Sequence, residues 1–135
     1  MVTMNIEYQG VLRTHSTHQP SGNTVITDAP VDNKGKGEAY SPTDLLCSSL
    51  GSCMLTIMGI KSDDLGINID GTKVTVVKHM SSDSPRRVCE IDIDMHIPFM
   101  VSSEHMASLR RSALNCPVAQ SIHPDLKINV TMTCE

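Results

Sequence analysis

Apolar side chains recur at helical spacing through residues 41–60, where no charge occurs between Asp44 and Lys61. Small residues, mostly serine and glycine, occupy the positions between them. A helix that is apolar on one side and small on the other is best buried between two surfaces. The pattern therefore predicts a buried central helix, whose apolar stripe is formed by Leu46, Leu50, Cys53, Met54 and Ile57.

The start of this helix is well marked in the sequence. Ser41 can accept from the first free amides, Pro42 suits the first helical position, and Asp44 favours the amide-rich end. Asp63, Asp64 and Gly66 are expected to break the helix after residue 60. The stretch is expected to be too short and too rich in serine and glycine for a membrane span.

Strand patterns lie on both sides of the central helix. Residues 5–17 predict an opening strand or hairpin, and residues 24–27 a short strand. Residues 67–80 carry a β-branched run, and residues 89–97 alternate strictly between apolar and polar, as in a half-buried antiparallel strand. A final alternating strand covers residues 128–134.

A second helix and a short helical turn are predicted between the last two strands. Ser102 or Ser103 caps the helix, whose buried stripe includes Met106, Leu109, Ala113 and Leu114. A new turn begins at Cys116, with Pro117 in its first position. The order of elements predicts an α+β fold with a mainly antiparallel sheet, in a single domain over residues 1–135.

Composition narrows the possible partners. The net charge is −4, and the chain has no Trp, one Phe and two Tyr, which argues against nucleic-acid binding. No Gly-rich phosphate loop and no zinc-like Cys/His spacing occur, so we expect no cofactor and no metal. Five cysteines without a secretory signal favour reduced thiols and a cytoplasmic protein.

The five cysteines differ in their expected chemistry. Cys89 and Cys134 lie on the apolar side of their strands, and Cys47 is expected to be structural. Cys116 begins a helical turn, where free amides favour a thiolate. Cys53 lies among apolar side chains, which would keep its thiol protonated and inert unless a cation or hydrogen-bond donors approach it.

Three short motifs resemble the OsmC/Ohr family of osmotically inducible and organic-hydroperoxide-resistance proteins. They are Ser-Pro-Thr-Asp-Leu-Leu at residues 41–46, Leu-Gly-Ser-Cys at residues 50–53 and Asn-Cys-Pro-Val at residues 115–118. The resemblance covers nearly the whole chain. It implies an intertwined homodimer with the Cys-bearing helices packed centrally and active sites at the subunit interface.

The resemblance also implies a thiol-dependent peroxidase. The cysteine matching Cys53 attacks an organic hydroperoxide and becomes a sulfenic acid, and the one matching Cys116 condenses with it to a disulfide. A lipoyl-type dithiol then reduces the disulfide. This sequence agrees with thiol chemistry, because a nearby resolving thiol protects a sulfenic acid from further oxidation.

Two positions depart from the peroxidase pattern. Thr43 stands where those members have Glu, and residues 18–21 contain no Arg where those members have one. As substitutes near Cys53 we consider Arg13 and Glu38. A third source of positive charge is the pair at residues 86 and 87, which is more typical of a solvated surface.

Two other functions remain open at this point. A non-catalytic small-ligand-binding or stress-response protein on the same fold would explain the two departures. An acyl-transfer enzyme could pair Cys116 with His123, seven residues later, although no third member of such a site is visible. His96 lies on the polar side of its strand and is expected to face solvent.

Overall fold

The computed structural model describes all 135 residues and contains two compact units, Met1–Leu46 and Cys47–Glu135. The first unit is an antiparallel sheet of three strands in chain order: β1 (Met4–Gly10), β2 (Arg13–His18) and β3 (Thr24–Asp28). A single 3-10 turn, Val31–Asn33, follows. The predicted opening hairpin and short third strand are confirmed, whereas the single domain stays a prediction.

The second unit combines helices with a second three-stranded sheet. Its strands stand in chain order, so the strand of residues 88–97 is the central one. The long helix starts within the first unit and continues into the second. The elements are α1 (Pro42–Leu65), β4 (Lys73–Met80), β5 (Val88–Ile97), α2 (Ser103–Leu114), α3 (Pro117–Ser121) and β6 (Lys127–Cys134).

The central strand β5 carries the core of the second unit. Ile91, Ile93, Met95 and Ile97 are buried, as the alternation predicts. β5 pairs antiparallel with β4 but parallel with β6, so the expectation of a purely antiparallel strand is wrong. The reason is that α2 and α3 form a crossover, which returns the chain to the same end of the sheet before β6 begins.

Helix α1 buries part of the predicted stripe: Leu50 and Met54 are buried, while Cys53 and Ile57 pack against the core and stay partly exposed. Its buried residues are centred on Leu50, Met54 and Met58, while Leu46 is 38% exposed. The face is shifted because Gly51 faces the β4 side chains Val74 and Val76, which brings the small side of the helix against the sheet. The full buried set is Cys47, Leu50, Gly51, Met54, Met58 and Ser62.

The helix also runs further than predicted, to Leu65. Asp63 and Asp64 are exposed, so their carboxylates stay hydrated and the helix can continue through them. It ends where Gly66 takes a φ of +68°. At 24 residues, α1 is long and apolar enough to cross a membrane by length and composition alone, so the expectation that it is too short is wrong. The core helix of a soluble protein meets the same criteria.

Strand β4 begins at Lys73, six residues later than the start predicted. Residues before it form a turn in which the Thr72 N–H donates to the Ile69 carbonyl, and Gly71 has a φ of +83°. The β-branched run from residue 74 remains in the strand. Residues 67–72 therefore connect α1 to the sheet instead of pairing within it.

Gly51 and Gly59 offer a matched test of how α1 packs. A Cβ at Gly51 would lie 2.9 Å from Val76 Cγ2, whereas nothing lies within 4 Å of one at Gly59. Alanine gains about 1 kcal/mol over glycine inside a helix, but overpacking a core costs roughly 1–3 kcal/mol. We expect Gly59→Ala to stabilise the protein and Gly51→Ala to be neutral or destabilising, as measured by urea unfolding. Equal stabilisation by both would contradict this packing.

Candidate functional site

Two cysteines of the second unit come together although they are distant in sequence. Cys53 lies in the middle of α1 and is partly exposed, and Cys116 is the N-cap of α3 and is completely buried. The Cys53 side chain interacts with the Cys116 thiol closely enough to raise its pKa. The two thiols are therefore neighbours in the folded chain.

Local sequence fixes the position of Cys116. Helix α2 ends at Leu114, the Cys116 N–H donates to the Ala113 carbonyl over 3.2 Å, and Pro117 starts α3. The Cys116 sulfur in turn accepts from the Ala119 N–H over 3.4 Å. The predicted helical turn and its cysteine cap are therefore confirmed.

Backbone amides favour the Cys116 thiolate, as predicted, but burial outweighs them. Burial raises the pKa of the Cys116 thiol above its ordinary value, the Ala119 N–H lowers it, and the Cys53 side chain raises it again. Burial prevails because the Ala119 and Val118 amides offset only part of the lost hydration. Cys116 is a protonated, shielded thiol at neutral pH, while Cys53 is the partly exposed member of the pair.

The other three cysteines lie outside this pair. Cys47 is buried, as predicted, and the Cys134 thiol donates to the Val101 carbonyl and packs against the core. Cys89 departs from the prediction, since it lies outside the core cluster and lines a cavity instead. Its strand position is apolar by pattern, but an irregularity in the β4–β5 register breaks the alternation here, so that Val88 is buried and Cys89 is only partly buried.

Arg13 and Glu38 meet in the first unit. The Arg13 guanidinium binds Asp28 through two hydrogen bonds of 2.7 and 2.8 Å and Glu38 through one of 3.1 Å. The Glu38 N–H donates to the same Asp28 carboxylate. This ion-pair network brings together Arg13 and Glu38, which the sequence analysis proposed as separate candidates.

Sequence reasoning missed Asp28, the buried member of the network. Its side chain is 2% exposed, and it stands opposite Arg13 in the register of β2 and β3. Only that register, which the sequence does not specify, would have identified the pair. Arg13 lowers the pKa of the Asp28 carboxyl below its usual range.

The Asp28 pKa gives a pH prediction. Since it is depressed in the folded state, its contribution to stability is complete above the ordinary value of 3.8 and is lost as pH falls below it. In Arg13→Gln the Asp28 pKa should rise, because burial then acts without the guanidinium. NMR titration of the carboxyl carbon tests this. Arg87→Gln, which removes a distant guanidinium, should leave Asp28 unchanged.

The hydrogen bonds at the start of α1 define the surroundings of Thr43. Asp44 accepts from the Ser41 N–H over 2.9 Å, and Ser41 Oγ accepts from the Asp44 N–H over 3.1 Å, which is a reciprocal cap. The Thr43 hydroxyl lies 3.1 Å from Ser41 Oγ. The predicted cap is confirmed, and Thr43 offers a hydroxyl where the peroxidase pattern has a carboxylate.

The histidines do not join the cysteine pair. The His123 side chain is 72% exposed, and its Nδ1 accepts from the Asp125 N–H, whereas Cys116 is completely buried. This arrangement disfavours the acyl-transfer hypothesis. His96 is partly exposed to solvent and bonds Thr133 and Glu135, as a solvent-facing position predicts.

Comparison with known proteins identifies the family of the chain. The family described as OsmC-like protein matches residues 35–131. The crystal structure of a protein from Psychrobacter arcticus 273-4, described as an osmotic stress induced and detoxification response protein, is 51% identical. It has a TM-score of 0.94, with 98% of this chain and 96% of that chain covered. A search of curated proteins found no match.

More distant structures share the fold. The organic hydroperoxide resistance protein OsmC from Legionella pneumophila is 14% identical with a TM-score of 0.77, covering 100% of this chain and 96% of that chain. An organic hydroperoxide resistance protein from Elizabethkingia anophelis is 17% identical with a TM-score of 0.74, and the same shares are covered. At these identities the similarity is one of fold, which confirms the α+β class.

Proposed function

The chain belongs to the OsmC-like family, and from that premise we propose that it is a thiol-dependent peroxidase that reduces organic hydroperoxides. The observation that carries the proposal is the interaction between two neighbouring thiols, Cys53, which is partly exposed, and Cys116, which is completely buried. A substrate can reach the Cys53 sulfur, whereas the Cys116 sulfur next to it is shielded from solvent. Two structural neighbours are named as organic hydroperoxide resistance proteins, which supports this substrate class.

In the first step Cys53 acts as the nucleophile. Its thiolate attacks the terminal oxygen of the hydroperoxide, the O–O bond breaks, and the alkoxide leaves with a proton from solvent as the alcohol. Cys53 is then a sulfenic acid. Cys53 is chosen over Cys116 because a hydroperoxide can reach a partly exposed sulfur but not a fully buried one.

In the second step Cys116 resolves the sulfenic acid. Its sulfur attacks the Cys53 sulfur, the S–O bond breaks, and hydroxide leaves. Because burial keeps Cys116 protonated, its own proton can convert the hydroxide to water. The Ala119 N–H, 3.4 Å from the sulfur, can stabilise the charge that develops during this transfer.

A dithiol of the lipoyl type is the proposed reductant. One of its sulfurs would attack the Cys53 sulfur, since Cys116 is shielded, and release Cys116 as a thiol. The second sulfur of the reductant would then attack the mixed disulfide, close the reductant's own disulfide and release Cys53 as a thiol. Such a cycle needs a reducing compartment, and we place the protein in the cytoplasm.

Arg13 and Glu38 are retained as the proposed activating residues. Arg13 carries a positive charge that Asp28 and Glu38 hold in a fixed orientation through three hydrogen bonds. A fixed guanidinium is suited to support a thiolate without the entropy cost of ordering a mobile side chain. Slower peroxide reduction by Arg13→Gln, with Arg87→Gln as the control, would support this role.

A homodimer is the proposed assembly. Met4, Ile6 and Tyr8 on β1 are 58%, 69% and 64% exposed, which is a large apolar surface for one short strand. Light scattering should give about twice the chain mass of 14.7 kDa. Ile6→Lys should shift the population toward monomer, whereas Glu7→Lys, on the other face of the strand, should not. A wild-type monomer at micromolar concentration would contradict the dimer.

A thiol count separates this function from its alternative, a non-catalytic binding protein, which Thr43 and the missing Arg at residues 18–21 favour. The reduced protein has five thiols. One equivalent of cumene hydroperoxide, followed by denaturation and titration of the remaining thiols, should leave three. Five remaining thiols would refute the peroxidase and support the binding protein.

A further inference from the structure

A cavity of about 360 Å³ lies in the second unit, where β5 begins. Neither Cys53 nor Cys116 lines it. Its chemical groups are the Cys89 thiol, the Arg87 guanidinium, the His123 imidazole and the Asp125 carboxylate. A nucleophile, a cation, a neutral donor and an anion therefore face one small space, apart from the proposed peroxidase residues.

Arg87 is held in place but keeps free donors. Its Nη1 donates to Asp83 Oδ1 over 2.9 Å and to the Pro85 carbonyl over 2.8 Å, and its Nη2 reaches the other Asp83 oxygen. These bonds use three of the five guanidinium N–H groups. The Nε–H and one Nη2–H remain, which is the pair of donors that a carboxylate can bind.

His123 and Asp125 complete the polar rim. His123 Nδ1 accepts from the Asp125 N–H over 3.1 Å, so the neutral ring carries its proton on Nε2 and can donate from there. The Asp125 side chain is 91% exposed and can attract an ammonium group. A carboxylate at Arg87 and an ammonium at Asp125 together define the amino-acid end of a small molecule.

Cys89 supplies the reactive atom. Its thiol is partly exposed and donates to the His79 carbonyl over 3.4 Å. Arg87 interacts electrostatically with both Cys89 and Asp125, so the three groups share one neighbourhood. A cation close to a cysteine favours the thiolate during attack on a disulfide.

We propose that this cavity binds the amino-acid end of a low-molecular-weight disulfide and that Cys89 exchanges with it to form a mixed disulfide. The Cys89 thiol loses its proton to solvent and attacks one sulfur of the small disulfide. The S–S bond of that disulfide breaks, a new S–S bond forms to Cys89, and the departing thiolate takes up a proton. The small disulfide is itself the oxidant, so no other reactant is needed.

The experiment compares three small disulfides on the intact chain. Cystine has carboxylates and ammonium groups, cystamine lacks the carboxylates, and 3,3′-dithiodipropionate lacks the ammonium groups. Cys89 is the only cysteine in the tryptic fragment of residues 88–110, so mass spectrometry of that fragment follows its modification alone. Each rate is divided by the rate of the same disulfide with N-acetylcysteine, which removes differences in intrinsic reactivity.

The normalised rate at Cys89 should be about three- to fivefold higher for cystine than for either analogue, the range expected of an exposed ion pair. Arg87→Gln should abolish the preference over cystamine, and Asp125→Asn the preference over dithiodipropionate. Cys134, in fragment 128–135, should show no preference. An unmodified Cys89, or equal normalised rates for the three disulfides in the wild type, would overturn the proposal. Both of these outcomes concern Cys89 alone and leave the proposed peroxidase activity of Cys53 and Cys116 untouched.

Discussion

Cys53→Ser should lower the rate of organic hydroperoxide consumption by at least about a thousandfold, because it removes the proposed nucleophile and leaves only the shape of the site. Serine is close to cysteine in size, and position 53 is partly exposed, so the fold should tolerate the change. The measurement is the initial rate of cumene hydroperoxide loss in the presence of a dithiol.

Cys134→Ser is the matched control for this prediction. Like Cys53, Cys134 is a partly buried thiol packed against the core, but its partner is the Val101 carbonyl instead of a second thiol. We expect it to retain wild-type activity. Full activity in Cys53→Ser would exclude Cys53 as the nucleophile and remove the basis of the proposed cycle.

Cys116→Ser should reduce one equivalent of hydroperoxide per chain to form the sulfenic acid, and a second equivalent should then inactivate it. The Cys53 sulfenic acid still forms, but no thiol is present to condense with it, so further peroxide oxidises it to the sulfinic acid. After trypsin digestion, mass spectrometry should show a gain of about 32 Da on fragment 37–61, which contains Cys53, whereas the wild type shows none.

The buried position of Cys116 calls for a second variant. A serine hydroxyl at this cap can still accept from the Ala119 N–H, but it brings a more polar atom into a completely buried site. Cys116→Ala avoids that polar atom and should give the same single turnover. Sustained turnover without over-oxidation in both variants would rule out Cys116 as the resolving thiol.

The sequence predicts most of the elements because their signals are local. The alternation through Ile91, Ile93, Met95 and Ile97 identifies β5. The caps at Ser41, Ser102 and Cys116 mark helix starts through short-range hydrogen bonds that each residue type favours.

Features that depend on tertiary packing were not accessible in this way. The buried face of α1 is decided by the approach of Gly51 to Val76, and the parallel pairing of β5 with β6 by the crossover between them. Both arise from contacts between residues far apart in the chain.

The candidate site was likewise predicted only in part from the sequence. The motifs around Cys53 and Cys116 single out both residues, but the sequence did not predict that Cys116 is completely buried and that Cys53 is the partly exposed one. The apolar stripe of α1 does not show which of its residues, Cys53 included, face the rest of the protein. The cap position of Cys116 does not show how deeply the surrounding protein buries its side chain. Asp28 was missed for a related reason, because its partnership with Arg13 depends on strand register.

The most direct measurement is the identity of the bond that forms when the reduced protein meets one equivalent of cumene hydroperoxide. After alkylation of the remaining thiols and trypsin digestion, fragment 37–61 should be joined to fragment 112–127 through Cys53 and Cys116. Cys47→Ser, which leaves Cys53 as the only cysteine in the first fragment, should give the same link. If instead both fragments are recovered separately, with Cys53 and Cys116 alkylated, the two sulfurs do not form a redox pair and the account is wrong.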